Sequence, residues 1–141
     1  MDRESIVRVW LPMLGGLWAL GWLYLYGFGP RDGLRILGLG LGLVGLAGVI
    51  LARYTLGRSF SVTAKATALV TQGIYSRIRN PIYVSGIAFI AGVCLMVRNP
   101  YMWILPVIVI PLQIIRARRE ARVLEAKFGD AYREYRSHTW F

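Results

Sequence analysis

Four long apolar blocks, at residues 9–28, 36–52, 82–97 and 101–115, constrain this chain more than any other feature. The first holds about 20 residues, and at about 1.5 Å rise per residue it reaches roughly 30 Å, the thickness of a bilayer's hydrocarbon core. It is too long for the apolar part of a secretory signal and has no small-x-small cleavage site after it, so an uncleaved anchor is expected. The second block is Gly-rich. Gly38, Gly42 and Gly45 share one helical face, where small residues allow another helix to come close. The third and fourth blocks are separated only by Arg98, Asn99 and Pro100, which predicts an antiparallel hairpin. Each has about 15 residues, fewer than the roughly 17 usually needed to span. Either flanking residues complete these helices or the hairpin sits in a locally thinned bilayer. Pro106 and Pro111 should bend the fourth helix unless neighbours satisfy the carbonyls they free.

Composition agrees with lipid as the solvent. Hydrophobic residues make up 56% of the 141 positions and charged residues 17%, against about 25% charged in soluble domains; the mean hydropathy is +0.50. The expectation is one all-α integral membrane domain over 1–141, with about four transmembrane helices, a C-terminal helical hairpin among them, followed by a cytosolic amphipathic helix. The basic residues set its orientation. Arg3 and Arg8 lie in the N-terminal tail, Arg53, Arg58, Lys65, Arg77 and Arg79 between blocks two and three, and seven more after the last block. Lys and Arg favour the cytoplasmic side, so both termini and the central linker are expected there, with Arg31, Arg35 and Arg98 opposite. The net charge of +10 then reflects topology and attraction to anionic membrane lipids, worth about 1 kcal/mol per basic residue near the surface. A nucleic-acid partner is not required.

Cysteine and histidine usage closes off several chemistries. Cys94 is the single cysteine and sits inside an apolar block, and His138 is the single histidine. Neither a disulfide, a zinc site nor a His-based triad is expected, and no metal is implied. Cys94 reads as a small core hydrophobe.

Beyond the last block, Ala117, Ala121, Leu124, Phe128, Tyr132 and Tyr135 recur at spacings of three and four, which makes one stripe of an amphipathic helix. Gly129 is a point of interruption, and Asp130 is a candidate cap for a second short helix. Taken alone, this is a basic helix lying on a membrane surface. Glu120 stands out in it: a carboxylate one turn past the last apolar block, with Arg116 a turn behind and able to pair with it. It serves either as a plain ion-pair partner or as a ligand for an amine or hydroxyls.

A similar ambiguity attaches to Arg79-Asn80-Pro81-Ile82-Tyr83. Asn is a good N-cap, Pro is preferred at the first helical position and Tyr is an ordinary interfacial anchor, so the stretch is explained by a helix start alone. Arg98, Asn99, Pro100 and Tyr101 repeat nearly the same chemistry at the next helix. What sets the first copy apart is its company. Leu69-Val70-Thr71-x-Gly73-x-Tyr75, then Arg79-x-Pro81-x-Tyr83, an apolar hairpin, and finally Glu120 and Leu124 leading to Phe128-Gly129-x-x-Tyr132-x-x-Tyr135 occur in order over about half the chain.

This ordered set resembles the isoprenylcysteine carboxyl methyltransferase family and its phospholipid methyltransferase relatives, in the form of a short prokaryotic-type member. The resemblance implies an S-adenosylmethionine-dependent methyltransferase of the bacterial inner membrane. Its cofactor would be bound from the cytosolic side, and its lipophilic or lipid acceptor would arrive through the bilayer. Carried over residue by residue, it implies cofactor binding by Gly73, Tyr75, Arg79, Asn80, Pro81, Tyr83, Arg119 and Glu120, within a core at 53–141 that follows the N-terminal helices at 1–52. No catalytic residue is implied. Two positions depart from the family pattern: Asn80 stands where His is usual, and Ala121 stands where a second acid usually follows the first. Asn80 keeps a donor and an acceptor but cannot titrate. The N-terminal half is shorter than in many eukaryotic members, so prenylated cysteine is not the expected acceptor.

Methyl transfer from a sulfonium disperses positive charge, so alignment and exclusion of water can supply much of the catalysis. An ionised carboxylate or thiolate acceptor needs no base, whereas an amine must lose a proton. Competing readings are a catalytically silent protein that keeps the fold, a phospholipid N-methyltransferase and a small exporter. The exporter fares worst, because all seven acids lie outside the apolar blocks, leaving no proton-coupling carboxylate within the membrane.

Overall fold

The computed structural model describes residues 11–27, 32–56 and 69–141. The N-terminal tail, Arg31 and the linker residues Arg58 and Lys65 lie outside the described residues. Five α-helices occur among those described: α1 (Leu11–Tyr26), α2 (Gly33–Leu56), α3 (Pro81–Val97), α4 (Ile104–Phe128) and α5 (Asp130–Ser137). Short 3-10 turns at Gly73–Ser76 and Pro100–Trp103 precede α3 and α4. Two helices are long and apolar enough to cross a membrane, α2 and the continuous run Pro100–Phe128 that contains α4. The 17 residues of α3 reach about 25 Å.

The packing is that of helices in lipid. Trp18, Val44 and Val107 are each 69% exposed, and large apolar side chains cover the outward faces of α1, α2 and α4; such surface is stable only against hydrocarbon or a partner. Inside, Leu20, Leu46 and Met96 form a small core with Phe89, Val93 and Ile50 packed around it. The tightest contact is between α2 and α3, and the glycine face of α2 explains it. A methyl group placed on Gly92 would overlap the backbone of Gly42 and Gly38, and one on Gly45 would strike Phe89 and Ser85. With lipid as apolar as leucine, helices associate through such close van der Waals contact.

One end of the bundle is fixed by charge. The buried Arg35 side chain donates from Nη2 to the Leu23 carbonyl at 2.5 Å and the Gly27 carbonyl at 2.9 Å, placing a cation on the last carbonyls of α1 where the helix dipole favours it. Asp32 pairs with Arg98 and so joins the start of α2 to the end of α3. The turn into α4 is capped by Asn99, whose Oδ1 accepts from Tyr101 N at 3.0 Å. Cys94 is buried, and its thiol donates to the Met102 carbonyl.

The fourth apolar block and the amphipathic segment after it are one helix. Pro106 falls in the first turn of α4, where its missing N–H has no intrahelical partner to lose, and α4 runs on through Pro111 to Phe128. Gly129, at φ +51°, breaks it. Asp130 is not the cap expected of it: Gly129 holds that position, and the Asp130 carboxylate lies 3.2 Å from Arg133 Nη1 instead. Along α4 and α5, Ala117 and Tyr132 are buried and Ala121, Leu124, Phe128 and Tyr135 half-buried, while Arg118, Arg119 and Arg122 are exposed. The stripe read from the sequence is the inward face.

Candidate active site

The end of the molecule opposite Arg35 and Arg98 is built from three pieces: the 73–80 segment, the first turn of α3, and α4 with α5. Gly73 opens the 3-10 turn at φ +60°, against Thr55 of α2. Tyr75 follows and is buried, and Pro81, also buried, starts α3. Asn80 occupies the N-cap position of α3 but makes no side-chain capping bond. The expectation of a cap therefore holds for Asn99 and fails for Asn80. The reason is tertiary: Asn80 Nδ2 donates to the main-chain oxygen of Phe141 at 3.1 Å, and its backbone N–H donates to the same oxygen at 2.9 Å.

Because α4 leaves the apolar zone without a break, it carries Glu120 to the first turn of α3. The Tyr83 hydroxyl donates to Glu120 Oε1 at 2.5 Å, a charge-assisted bond of the stronger kind. Arg116, one turn earlier on α4, also lies against the Tyr83 hydroxyl. Tyr75 lies within electrostatic reach of both Glu120 and Tyr83. The second half of the site comes from α5, where the Tyr135 hydroxyl donates to the Tyr75 carbonyl at 2.7 Å and Arg79 lies beside Tyr132 and Tyr135. Burial pushes the Tyr135 phenol up to about 12; neighbouring Tyr132 adds to the rise and Arg79 opposes it. Burial raises Tyr75 as well, helped by Tyr135 and Glu120. These phenols stay protonated donors at neutral pH.

Of the residues singled out in the sequence, Tyr75, Arg79, Asn80, Pro81, Tyr83 and Glu120 come together around this end, with Gly73 at its edge. Arg119 does not join them: it is exposed on α4 and makes none of these contacts. The sequence reading missed the tail. Residues 139–141 run beside 77–80, with Trp140 N donating to the Arg77 carbonyl at 2.7 Å and Arg79 N to the Trp140 carbonyl at 3.0 Å. Main-chain pairing of this kind leaves no mark in side-chain identity. Arg116 was visible as a partner for Glu120, but its place at the Tyr83 hydroxyl was not.

The set suits a small zwitterionic ligand. Glu120 offers carboxylate lone pairs to an amine or hydroxyls, and Arg79 Nε is buried with no hydrogen-bond acceptor, a donor that a ligand's carboxylate would satisfy.

No curated protein and no solved structure matches the chain. A sequence model of the phospholipid methyltransferase family matches residues 34–131, which takes in α2, α3, α4 and every singled-out site residue and stops within α5. That family is related to the isoprenylcysteine carboxyl methyltransferases. With most of its length inside the match, the chain belongs to the phospholipid methyltransferase family.

Proposed function

We propose that the protein is an integral membrane methyltransferase that uses S-adenosylmethionine to methylate a lipophilic acceptor at the cytosolic face. The observation that carries this reading is the bond between Tyr83 and Glu120, 37 residues apart. It closes the two halves of the family pattern onto one another at the end of the bundle that holds Tyr75 and Arg79. In this reading both termini face the cytosol, because Lys and Arg favour that side and the basic residues at 116–136 together with Arg53, Arg77 and Arg79 belong to this end of the bundle.

Bound here, S-adenosylmethionine would supply an electrophilic methyl group on a sulfonium. Glu120 would accept from its amine or ribose hydroxyls with the carboxylate oxygen that Tyr83 leaves free, and Tyr83 would hold that carboxylate in one orientation. Arg79 would take the ligand carboxylate through its buried Nε. Tyr75 and the α5 residue Tyr132, both buried, would exclude water from the reacting side, which strengthens each of these contacts. An acceptor dissolved in the bilayer would reach the same level along the exposed apolar face of α4, which carries Val107, Ile108, Leu112 and Ile115.

A second reading, phospholipid N-methylation, is equally consistent with the family match. An amine acceptor must lose a proton, and the Glu120 carboxylate is the group at the site able to hold it; Asn80 cannot.

Calorimetry of the purified protein in detergent tests the cofactor, and methyl transfer to an amine phospholipid against a lipophilic carboxylate tests the acceptor. Micromolar to millimolar binding that weakens in Glu120→Gln is expected. A folded protein that takes up no S-adenosylmethionine at millimolar concentration would favour the silent alternative.

A further inference from the structure

We infer that Asn80 is a positioning residue that latches residues 139–141 alongside 77–80, and that the latched tail is a working part of the ligand site. The inference rests on the methyltransferase reading for the identity of the ligand, and on geometry alone for the latch.

The segment that carries Tyr75 and Arg79 has little local structure of its own. Between the 3-10 turn at Gly73–Ser76 and the start of α3 at Pro81, Arg77 N and Ile78 N turn back to the Ile74 carbonyl, and the Arg77 carbonyl and the Arg79 and Asn80 N–H groups are held from outside. Trp140 N reaches the Arg77 carbonyl and Arg79 N reaches the Trp140 carbonyl, which makes the parallel pairing of Ile78 with Trp140. Asn80 closes this short pairing with two donors, its backbone N–H and Nδ2, on the single oxygen of Phe141. The Thr139 hydroxyl donates to the Tyr135 carbonyl at 2.8 Å, and the Tyr135 hydroxyl returns to the Tyr75 carbonyl at 2.7 Å. The circuit runs from Tyr75 to Asn80, through the tail to α5, and back to Tyr75.

A pairing this short has no strand to propagate it, and isolated two-stranded pairings are marginal even at hairpin length. Its persistence therefore depends on the end clasps, and Asn80 supplies the one made by a side chain. The side chain's chemistry is specific to that task. Asp and Ser cap helices as well as Asn does, but Asp has no donor for the Phe141 oxygen.

The test compares wild type with Asn80→Asp in detergent micelles, by hydrogen exchange and by S-adenosylmethionine binding. Peptides covering 77–80 and 139–141 are expected to exchange about 10-fold faster in Asn80→Asp, while those from the α2–α3 crossing stay unchanged. The ligand Kd should rise by about 10-fold, the equivalent of 1.4 kcal/mol. Deleting residues 140 and 141 should weaken binding similarly, and adding Asn80→Asp to the deletion should cost nothing more, because both remove the same clasp. Unchanged exchange in Asn80→Asp would overturn the latch. Faster exchange with an unchanged Kd would overturn its role in the site. Absence of binding by wild type would count against the methyltransferase reading, while the exchange result alone would still decide whether the latch exists.

Discussion

Removing the Tyr83 hydroxyl and the Glu120 carboxylate, singly and together, measures how firmly the first turn of α3 is held to α4. The bond is 2.5 Å long and ends on a carboxylate. Hydrogen bonds to charged groups contribute about 1.5–3 kcal/mol net. Both residues are partly open to solvent, so water recovers some of the loss, and a coupling of about 1–1.5 kcal/mol is expected from Tyr83→Phe and Glu120→Ala. That corresponds to a shift of roughly 5- to 13-fold in the unfolding equilibrium. Each variant would be unfolded with a denaturing detergent in mixed micelles, and the coupling taken as the sum of the two single costs minus the double-variant cost. The subtraction removes the packing lost at each residue. A coupling below about 0.3 kcal/mol, the ordinary scatter for independent sites, would show that the contact does not join the two helices and would undo the reasoning that builds the site on it.

Three further expectations follow from the same geometry. Gly92→Ala should destabilise by about 1–3 kcal/mol through overpacking, since its methyl meets the α2 backbone, whereas Gly40→Ala, with nothing within 4 Å, should be neutral or stabilising by up to about 1 kcal/mol; equal costs in denaturation titrations would contradict the close crossing. Tyr135 is pushed up to about 12 from the unfolded value near 10, so its contribution is complete below pH about 10 and lost as pH rises to about 12. Hydrogen-exchange protection of α5 should fall through that window and lose this component in Tyr135→Phe; a flat profile there would refute it. Single cysteines at Asp32 and Glu134, in a Cys94→Ala background, should label from opposite sides of the membrane in oriented vesicles, and labelling of both from one side would refute the proposed orientation.

Much of the architecture was legible because hydrophobic pattern and helix chemistry are local. The apolar blocks became α1 to α4, and the stripe from Ala117 to Tyr135 became the inward face of α4 and α5. Gly38, Gly42 and Gly45 marked a close crossing before any partner was known. The sequence could name the faces that must pack, but not which blocks would fuse. Block four and the amphipathic segment form one rod because neither Pro106 nor Pro111 interrupts it, and that continuity is what carries Glu120 to Tyr83.

The site was legible as a list of residues, and its wiring was not. Asn80 and Asn99 stand in nearly identical surroundings, Arg-Asn-Pro, and local chemistry assigns both the same capping role. Asn99 takes that role, whereas the amide of Asn80 is drawn off by a main-chain oxygen 61 residues away. Capping depends on neighbours a few residues along and can be read from them. Which of two equally suited partners a side chain chooses depends on what the rest of the fold brings within about 3 Å, and only the tertiary structure brings the tail of this chain there.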